Sequence, residues 1–299
     1  MKILLLGKNG QVGWELQRAL APLGEVVGCD FDSPGALKAD FSQPELLRAL
    51  VRSVQPTLIV NAAAHTAVDK AESEPEFART LNAISPGVLA EEAARSGATM
   101  VHYSTDYVFD GSGNAARDED APTGPLSVYG RTKLEGEQLI GASGCRHLIL
   151  RTSWVYAARG GNFARTMLRL AAERDTLNVI SDQIGAPTGA ELLADVTALA
   201  VQRLRAEPQL GGIYHCAAGG ETSWHGYARH VIEWARGQGH PIKLAPDAVN
   251  AIPTSAYPTP AARPLNSRLS TARLQAAFGV HLPAWQHGVE RMLAEVLGR

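Results

Sequence analysis

The sequence predicts an α/β fold built on a doubly wound parallel sheet, and three observations support this prediction. Short apolar runs alternate with segments of helical spacing up to about Ile180. Each run is continuous rather than alternating in polarity, as expected for parallel strands that are covered on both faces. A chain of 299 residues with 45% hydrophobic residues can bury one large core and a smaller satellite.

The first predicted strand leads into a glycine-rich turn. Ile3 to Leu6 is an apolar run, and Gly7, Gly10 and Gly13 follow it in a G-x-x-G-x-x-G spacing. These glycines let the backbone approach a pyrophosphate, which then lies against the free N–H groups of the helix that begins near Gln11. Without further support, the same spacing is equally typical of a tight turn in an ordinary α/β domain.

The second predicted strand, Glu25 to Cys29, ends at an acidic residue, Asp30. In dinucleotide-binding folds, a carboxylate about 20 residues after the glycine turn bonds the ribose hydroxyls of adenosine. Such a carboxylate repels a 2′-phosphate. The sequence therefore favours NAD(H), although Lys8 leaves NADP(H) open.

The next two strands end in residues suited to a ligand site at the sheet edge. The third, Thr57 to Val60, closes with the segment 61–65, Asn-Ala-Ala-Ala-His. Its small residues leave room for a cofactor or, alternatively, for close helix packing. The fourth, Thr99 to Tyr103, closes with the segment 104–107, Ser-Thr-Asp-Tyr.

A Tyr-x-x-x-Lys pair, Tyr129 and Lys133, lies on the helix predicted to follow. Residues four apart on a helix are neighbours, so the Lys133 ammonium is expected to lower the pKa of the Tyr129 hydroxyl from its ordinary value near ~10. Thr105 supplies a hydroxyl for the reacting oxygen, and Lys133 can also hold a nicotinamide ribose. A single pair of this kind is usually a solvated helix face. Its position after the glycine turn, Asp30 and the Ser-Thr strand end predicts a nucleotide-dependent oxidoreductase.

Longer blocks of the sequence resemble a known family. They are KNGQVGWEL (8–16), VNAAAHTAVDKAE (60–72), HYSTDYVF (102–109), LRTSWVY (150–156), QIGAPT (183–188) and RPLNS (263–267). Over nearly the whole chain they resemble the extended short-chain dehydrogenases and, within them, the dTDP-4-dehydrorhamnose reductases. The resemblance implies a Rossmann-type fold and reduction of the C4 ketone of dTDP-4-dehydro-L-rhamnose to dTDP-L-rhamnose by NADPH or NADH, the final step of dTDP-L-rhamnose synthesis.

The resemblance also implies roles for individual residues. Thr105, Tyr129 and Lys133 take the catalytic places. Asp106 and Trp154 lie toward the sugar nucleotide, although Trp154 is also typical of a core aromatic at a domain interface. The cofactor-binding residues, with the glycine turn included, are Gly7, Gly10, Gln11, Val12, Gly13, Asp30, Asp40, Phe41, Ala63, Ala64, His65, Tyr129 and Lys133.

Two regions of the chain differ in character. Residues 1–180 are predicted to form mainly an NAD(P)-binding domain, and residues 181–299 mainly a smaller substrate-binding cap. Beyond Pro241 the chain is rich in proline, which disfavours long regular elements. The boundary between these two domains is expected to be interleaved, since the predicted strand Gly212 to Cys216 is a candidate to return to the main sheet.

Charge and cysteine content limit the partners. The net charge is −2, without a basic run that interleaves with aromatics, so neither nucleic acid nor a membrane is an expected partner. A thymidine diphosphate still needs local positive charge, for which Arg263 and Arg268 are candidates, with surface loop packing as the alternative. Cys29, Cys145 and Cys216 lack paired spacing, which predicts reduced residues of a cytoplasmic protein.

A magnesium site is a further implication of the resemblance. Some family members hold Mg²⁺ with glutamates that match Glu15, Glu191 and Glu295, although Glu290 competes with Glu295 for the last position. Exposed glutamates on solvated helix faces are the alternative. A homodimer, in which such glutamates meet across a symmetric contact, is left open against a monomer.

Two other functions are compatible with these motifs. Nucleotide-sugar dehydratases and epimerases share the Tyr-Lys pair, but dehydratases resemble Ser-Thr-Asp-Glu at the fourth strand end, where this chain has Tyr107. A non-catalytic regulatory subunit that binds NADP(H) is the second alternative. The complete set of Thr105, Tyr129 and Lys133 favours turnover.

Overall fold

A central parallel sheet organises the structure, a computed structural model that describes residues 1–298. In chain order the strands are β1 (Lys2–Leu6), β2 (Glu25–Cys29), β3 (Leu58–Asn61), β4 (Thr99–Thr105), β5 (Arg146–Thr152), β6 (Val155–Tyr156), β7 (Leu177–Ile180), β8 (Ile184–Gly185), β9 (Thr188–Gly189), β10 (Gly212–His215), β11 (Thr222–Ser223) and β12 (Val249–Ile252). Six of them pair in the order β10-β5-β4-β3-β1-β2, and every pair is parallel. The predicted parallel α/β sheet is confirmed, and the strand at 212–215 forms its edge beside β5.

Helices cover both faces of this sheet. They are α1 (Gln11–Leu20), α2 (Pro44–Val54), α3 (Val68–Ser73), α4 (Pro75–Arg79), α5 (Ser85–Ser96), α6 (Val128–Ala142), α7 (Phe163–Glu173), α8 (Ala190–Ala206), α9 (Trp224–Gly237), α10 (Ala272–Phe278) and α11 (Trp285–Leu297). Leu5 and Val60 face a core shared with α1 and α8, while Leu4 and Ile59 face one shared with α2 and α5. Because successive strand residues point to opposite faces, the parts of a strand that are buried on both sides must be largely apolar, as Ile3 to Leu6 and Leu58 to Val60 are.

A second, smaller core lies beside the sheet. Helices α7, α9 and α11 bury Met167, Tyr227, Val231 and Val289 against the two-stranded parallel sheet of β7 and β12. Between these elements, α8 and β10 return to the main core. The chain therefore alternates between the two cores, and a division at residue 180 stays a prediction.

The described residues carry no membrane-crossing element. Within 1–298, every helix falls short of the combined length and apolar character that spanning a bilayer requires. Cys29, Cys145 and Cys216 are buried in the described chain and form no disulfide.

Close packing at the β1–α1 turn fixes where α1 begins. Gly7 has a φ of +80°, and a Cβ there would lie 2.7 Å from the Ala63 nitrogen. A Cβ on Gly13 would lie 1.9 Å from the Gly7 carbonyl oxygen. Glycine is therefore required at both positions, and the N-terminus of α1 lies at the carboxyl ends of β1 and β3.

This packing makes Gly13→Ala destabilising. The new methyl group meets backbone atoms that cannot rotate away, so we expect the free energy of unfolding to fall by about 1–3 kcal/mol or more, as for other overpacked sites. Gly141→Ala is the matched control, since a Cβ at this helical glycine meets nothing within 4 Å. It should raise stability by up to about 1 kcal/mol. Urea unfolding of both variants measures the difference, and equal effects would contradict the packing argument.

Candidate active site

A cavity of about 910 Å³ opens at the carboxyl ends of the central strands. It is the place where a doubly wound sheet is expected to bind ligands. Of the residues that the sequence singles out, those that line it are Gly7, Gly10, Gln11, Val12, Asp30, Asp40, Phe41, Ala63, Ala64, Thr105, Asp106, Tyr129, Lys133 and Trp154.

Tyr129 lies beside Thr105 because α6 packs closely on the segment after β4. Ser127 caps the helix by accepting a hydrogen bond from the Gly130 backbone N–H at 3.2 Å. A Cβ on Gly130 would lie 2.3 Å from the Tyr107 carbonyl oxygen, so glycine permits the contact. The Thr105 hydroxyl lies near enough to the Tyr129 side chain to lower its pKa in part, and both residues line the cavity.

The proton of Tyr129 is held firmly in this structure. Desolvation of the hydroxyl raises the pKa of Tyr129 to about 12, and the nearby Thr105 hydroxyl offsets only part of this rise. The sequence-based expectation that Lys133 lowers this pKa is wrong here. The Lys133 amine points elsewhere, with Nζ 2.6 Å from the Tyr103 carbonyl oxygen and 3.1 Å from His102 Nε2.

Lys133 is itself buried, with 2% of its surface exposed. Desolvation lowers the pKa of Lys133 to about 8, although the Glu137 carboxylate acts in the opposite direction. Glu137 is held by Arg151, whose Nη2 donates to it at 2.7 Å. Lys133 can therefore exchange its proton near neutral pH.

Asp106 is a buried carboxyl in the same wall, next to the hydroxyl pair. Its Oδ1 accepts a hydrogen bond from the Thr105 hydroxyl at 3.0 Å, and its Oδ2 has no partner in the described residues. Burial raises the pKa of Asp106 to about 6, with the Ser267 and Thr105 hydroxyls lowering it in part. An unpaired buried oxygen is costly, so this atom is a candidate for a ligand contact.

The opposite end of the cavity has the features of a dinucleotide site. Gly7 and Gly10 expose backbone beneath the N-terminus of α1, and the Gln11 side-chain oxygen is buried there without a described partner. Asp30 accepts hydrogen bonds from the backbone N–H groups of Asn9 (3.0 Å) and Phe31 (2.8 Å), which hold its carboxylate at the rim. A phosphate and a ribose fit these groups.

Asp40 and Phe41 complete this end of the wall. Asp40 accepts from the Ser42 hydroxyl at 2.6 Å, and this bond lowers the pKa of Asp40. Phe41 is buried, and its carbonyl oxygen accepts from Ser85 at 2.6 Å. Both residues anchor the loop after β2.

Two predicted cofactor residues do not line the cavity. The His65 imidazole turns toward α3 and α4, where Nε2 lies 2.7 Å from Glu74 Oε1. Gly13 lies under the turn and serves packing. A sequence pattern gives the position of a residue along the chain but not the direction of its side chain.

The two candidate arginines are engaged in ion pairs. Arg263 donates from both terminal nitrogens to Asp69, at 3.0 and 2.7 Å, and Arg268 Nε donates to Glu221 at 2.6 Å. Neither guanidinium lines the cavity. The carboxylate partners lie nearly 200 and 47 residues away along the chain, so sequence spacing gives no sign of them.

Trp154 lines the cavity with a second tryptophan that the sequence analysis missed. The rings of Trp154 and Trp224 stack with centroids 3.7 Å apart and an interplanar angle of 16°. Trp154 has a φ of +48°, an uncommon conformation for a bulky residue, which supports a functional constraint at this position. Trp224 begins α9 in the second core, so only the tertiary fold brings it to this wall.

The structure does not support the predicted magnesium site. Residues 1–298 contain no group of three or more His, Cys, Asp or Glu arranged to hold a metal ion. Burial raises the pKa of Glu191, and the charges of Glu15 and Glu295 add to this effect while Arg291 opposes it. Glu15 and Glu191 lie 3.4 Å from Arg18 and Arg291 respectively, which compensate their charges.

Comparison with known proteins agrees with the family resemblance seen in the sequence. The family model described as RmlD substrate binding domain matches residues 1–297. A dTDP-4-dehydrorhamnose reductase of Salmonella typhimurium is 57% identical over 296 residues, which cover 99% of this chain and 98% of that protein.

Solved structures agree with this similarity. A dTDP-4-dehydrorhamnose reductase from Clostridium acetobutylicum has a TM-score of 0.87 and 34% identity, with both chains covered completely. The same enzyme from Bacillus anthracis, in complex with NADP, has a TM-score of 0.86 and 32% identity, over 98% of this chain and 99% of that one.

The raised pKa of Asp106 has a consequence for stability. Its pKa is about 6 in the folded chain against an ordinary 3.8, so the folded state binds more protons between these values. The contribution of this group to stability is therefore complete below about pH 4 and is lost as the pH rises through about 6. Asp106→Asn has no carboxyl to ionise and so does not lose this stability. Its free energy of unfolding relative to that of the wild type should therefore increase by about 1–3 kcal/mol from pH 4 to pH 7.

Asp110→Asn is the control with the opposite sign. Hydrogen bonds from Ser112 lower the pKa of Asp110, so this variant should lose stability relative to the wild type as pH rises. Urea unfolding at pH 4 and pH 7 distinguishes the two. If both variants respond to pH alike, the burial of an unpaired carboxyl at 106 is not what sets the effect.

Proposed function

Because the chain belongs to the family described as RmlD substrate binding domain, we propose that it reduces the C4 ketone of dTDP-4-dehydro-L-rhamnose to give dTDP-L-rhamnose. The observation that carries the proposal is the pair of hydroxyls from Tyr129 and Thr105 that face one cavity, opposite a dinucleotide-type glycine turn. The reductase of Salmonella typhimurium, at 57% identity, supports the choice of sugar nucleotide.

The residues of the cavity account for the proton in this reaction. NADPH or NADH, when bound, supplies the hydride that reaches C4. Negative charge then grows on the former carbonyl oxygen, which takes the phenolic proton of Tyr129. The Thr105 hydroxyl, which donates to Asp106 in the free protein, turns to donate a hydrogen bond to the same oxygen. Since the pKa of Tyr129 is about 12, the proton is present at neutral pH and moves only when that charge develops.

Asp106 and Trp154 are proposed to contact the sugar nucleotide. The unpartnered Oδ2 of Asp106 lies in the wall next to the hydroxyl pair and suits a sugar hydroxyl as donor. The Trp154 ring, backed by Trp224, offers a flat apolar surface in the same wall. Arg263 contributes to diphosphate binding only if an anion competes with Asp69 for its guanidinium. A homodimer and bound Mg²⁺ remain predictions.

The alternative reactions are less well supported. Elimination needs a second base after Asp106, but this chain has Tyr107, whose pKa burial raises above its ordinary value. A phenol that holds its proton is a poor base at neutral pH. A binding-only regulatory role leaves the convergence of Thr105, Tyr129 and Lys133 on one cavity unexplained.

Tyr129→Phe tests the proposed reaction. Oxidation of the reduced cofactor is followed with and without dTDP-4-dehydro-L-rhamnose, and turnover by the wild type should require the sugar. The variant keeps the ring but lacks the proton donor, so turnover should fall by about 10²–10⁴-fold while cofactor binding is retained. Tyr214→Phe, which loses a hydroxyl bonded to Leu210 away from the cavity, is the matched control. Near-normal turnover by Tyr129→Phe would remove the assignment.

Asp30→Ala tests the cofactor preference. Loss of a carboxylate from the ribose end should favour a 2′-phosphate, so the ratio of NADPH to NADH efficiency is expected to rise by about tenfold or more. Asp32→Ala is the control, because Asp32 holds the Asn9 side chain in the same loop at 3.1 Å. An unchanged ratio in Asp30→Ala would mean that Asp30 does not face the ribose.

A further inference from the structure

Beneath the cavity, three side chains form a buried chain of hydrogen bonds that ends at Lys133. Asn61 and His102 are register partners on the neighbouring strands β3 and β4. Asn61 Nδ2 lies 3.1 Å from His102 Nδ1, and His102 Nε2 lies 3.1 Å from Lys133 Nζ. Asn61 and His102 are each 1% exposed, so both side chains are shielded from bulk solvent.

The orientation of Asn61 is fixed by the backbone. Its Oδ1 accepts a hydrogen bond from the Ala63 N–H at 3.0 Å. A reversed amide would place two donors against each other, so it is the NH₂ group that faces His102. An amide NH₂ can only donate, and His102 Nδ1 is therefore an acceptor without a hydrogen.

The tautomer of His102 follows from this contact. A neutral imidazole carries one hydrogen, so it lies on Nε2, which faces Lys133. An ammonium group there would also be a donor, and two donors would meet at 3.1 Å. The arrangement is satisfied when Lys133 is an amine that accepts from Nε2–H and donates to the Tyr103 carbonyl oxygen at 2.6 Å.

We propose that Asn61 and His102 are positioning residues that set the protonation of Lys133, with Asn61 selecting the Nε2–H tautomer and His102 favouring the amine form. Protonating Lys133 then requires His102 to carry its hydrogen on Nδ1 and Asn61 to turn its amide away from Ala63. The protonation of Lys133 is thereby linked, through His102 and Asn61, to the backbone at Ala63, which lines the cavity. The inference rests on the proposed reductase function for its role in turnover, but not for its geometry.

The surrounding groups agree with this assignment. Burial lowers the pKa of His102 well below its ordinary value, which keeps the imidazole neutral, and burial lowers the pKa of Lys133 to about 8. The titratable and charged groups on the packed elements are Tyr103 on β4, Asp106 after β4, Tyr129 and Glu137 on α6, and Arg151 on β5. The Glu137 carboxylate raises the pKa of Lys133 in part, but it is paired with Arg151, and desolvation has the larger effect.

Protonation of Lys133 matters for the proposed reaction because ketone reduction takes up a proton and builds negative charge beside Tyr129. The ammonium form favours that charge. Turnover should therefore decline as pH rises through the pKa of Lys133. A change at Asn61, whose side chain bonds His102 and the Ala63 N–H rather than Tyr129, should shift the pH at which turnover declines.

Nuclear magnetic resonance of the full chain tests the relay directly. The ¹³Cε shift of Lys133, assigned with Lys133→Met, gives its titration midpoint, and the ring ¹⁵N shifts of His102, assigned with His102→Phe, give its tautomer. In the wild type we expect a midpoint at least one pH unit below the ordinary lysine value near ~10.4, and the hydrogen of His102 on Nε2. A lysine that titrates in the ordinary range, or a hydrogen on Nδ1, overturns the proposal without recourse to any variant.

Asn61→Asp reverses the relay with little change in shape. The new carboxylate accepts from both Ala63 N–H and His102 Nδ1–H, so Nε2 becomes an acceptor for an ammonium. The hydrogen of His102 should move to Nδ1. The titration midpoint of Lys133 and the pH at which kcat declines should both rise by at least one unit. The double variant with His102→Phe keeps the charge and removes the imidazole. If it shifts the midpoint as far as the single variant, the effect is that of the charge alone and the relay is wrong.

The two proposals fail in different ways. A wild type that oxidises cofactor only with the sugar nucleotide, but has an ordinary lysine titration, keeps the reductase function and loses the relay. A wild type without such turnover, but with the Nε2–H tautomer and a low lysine midpoint, loses the function and keeps the relay.

Discussion

The close contact between the β1–α1 turn and the end of β3 is the constraint on which the site depends. Gly13 packs against the Gly7 carbonyl, and Gly7 packs against the backbone of Ala63, with no space for a side chain at either glycine. That contact fixes the Ala63 N–H, which in turn orients the Asn61 amide at 3.0 Å. From Asn61 the hydrogen bonds continue through His102 to Lys133. One tight turn therefore determines both the cradle for a pyrophosphate and the setting of a buried amine.

Desolvation dominates the electrostatics of the cavity. It raises the pKa of Tyr129 to about 12 and of Asp106 to about 6, and it lowers the pKa of Lys133 to about 8. These shifts have opposite signs but one cause, since burial disfavours whichever form of a group is charged. Around Tyr129, burial therefore shifts each of these groups toward its neutral form without removing the charges of Asp106 and Lys133 at neutral pH. In the proposed reaction, charge that develops on the substrate oxygen is stabilised by the hydroxyl donors and by Lys133 in its ammonium form.

The sequence predicted the features that local spacing determines. The glycine turn, the strand ends and the helix with Tyr129 and Lys133 follow from apolar periodicity, glycine positions and helical neighbours. The sequence could not predict contacts that depend on sheet register or on distant segments. Asn61 and His102 are 41 residues apart and meet because β3 and β4 pair in one register. The turn of His65 toward Glu74 and the stacking of Trp224 on Trp154 likewise depend on how α4 and α9 pack.

The proline-rich segment near residue 265 shows how such distant contacts shape the site. Its backbone is joined to earlier loops by hydrogen bonds from Asn266 N–H to Gly111 at 3.0 Å and from Ser267 N–H to Ile184 at 2.8 Å. Arg263 adds a bidentate pair with Asp69, whose pKa the guanidinium lowers. The segment thus holds its place without regular secondary structure. Because the guanidinium is already paired and does not line the cavity, the contact that the structure shows for Arg263 is one that holds this segment against the start of α3.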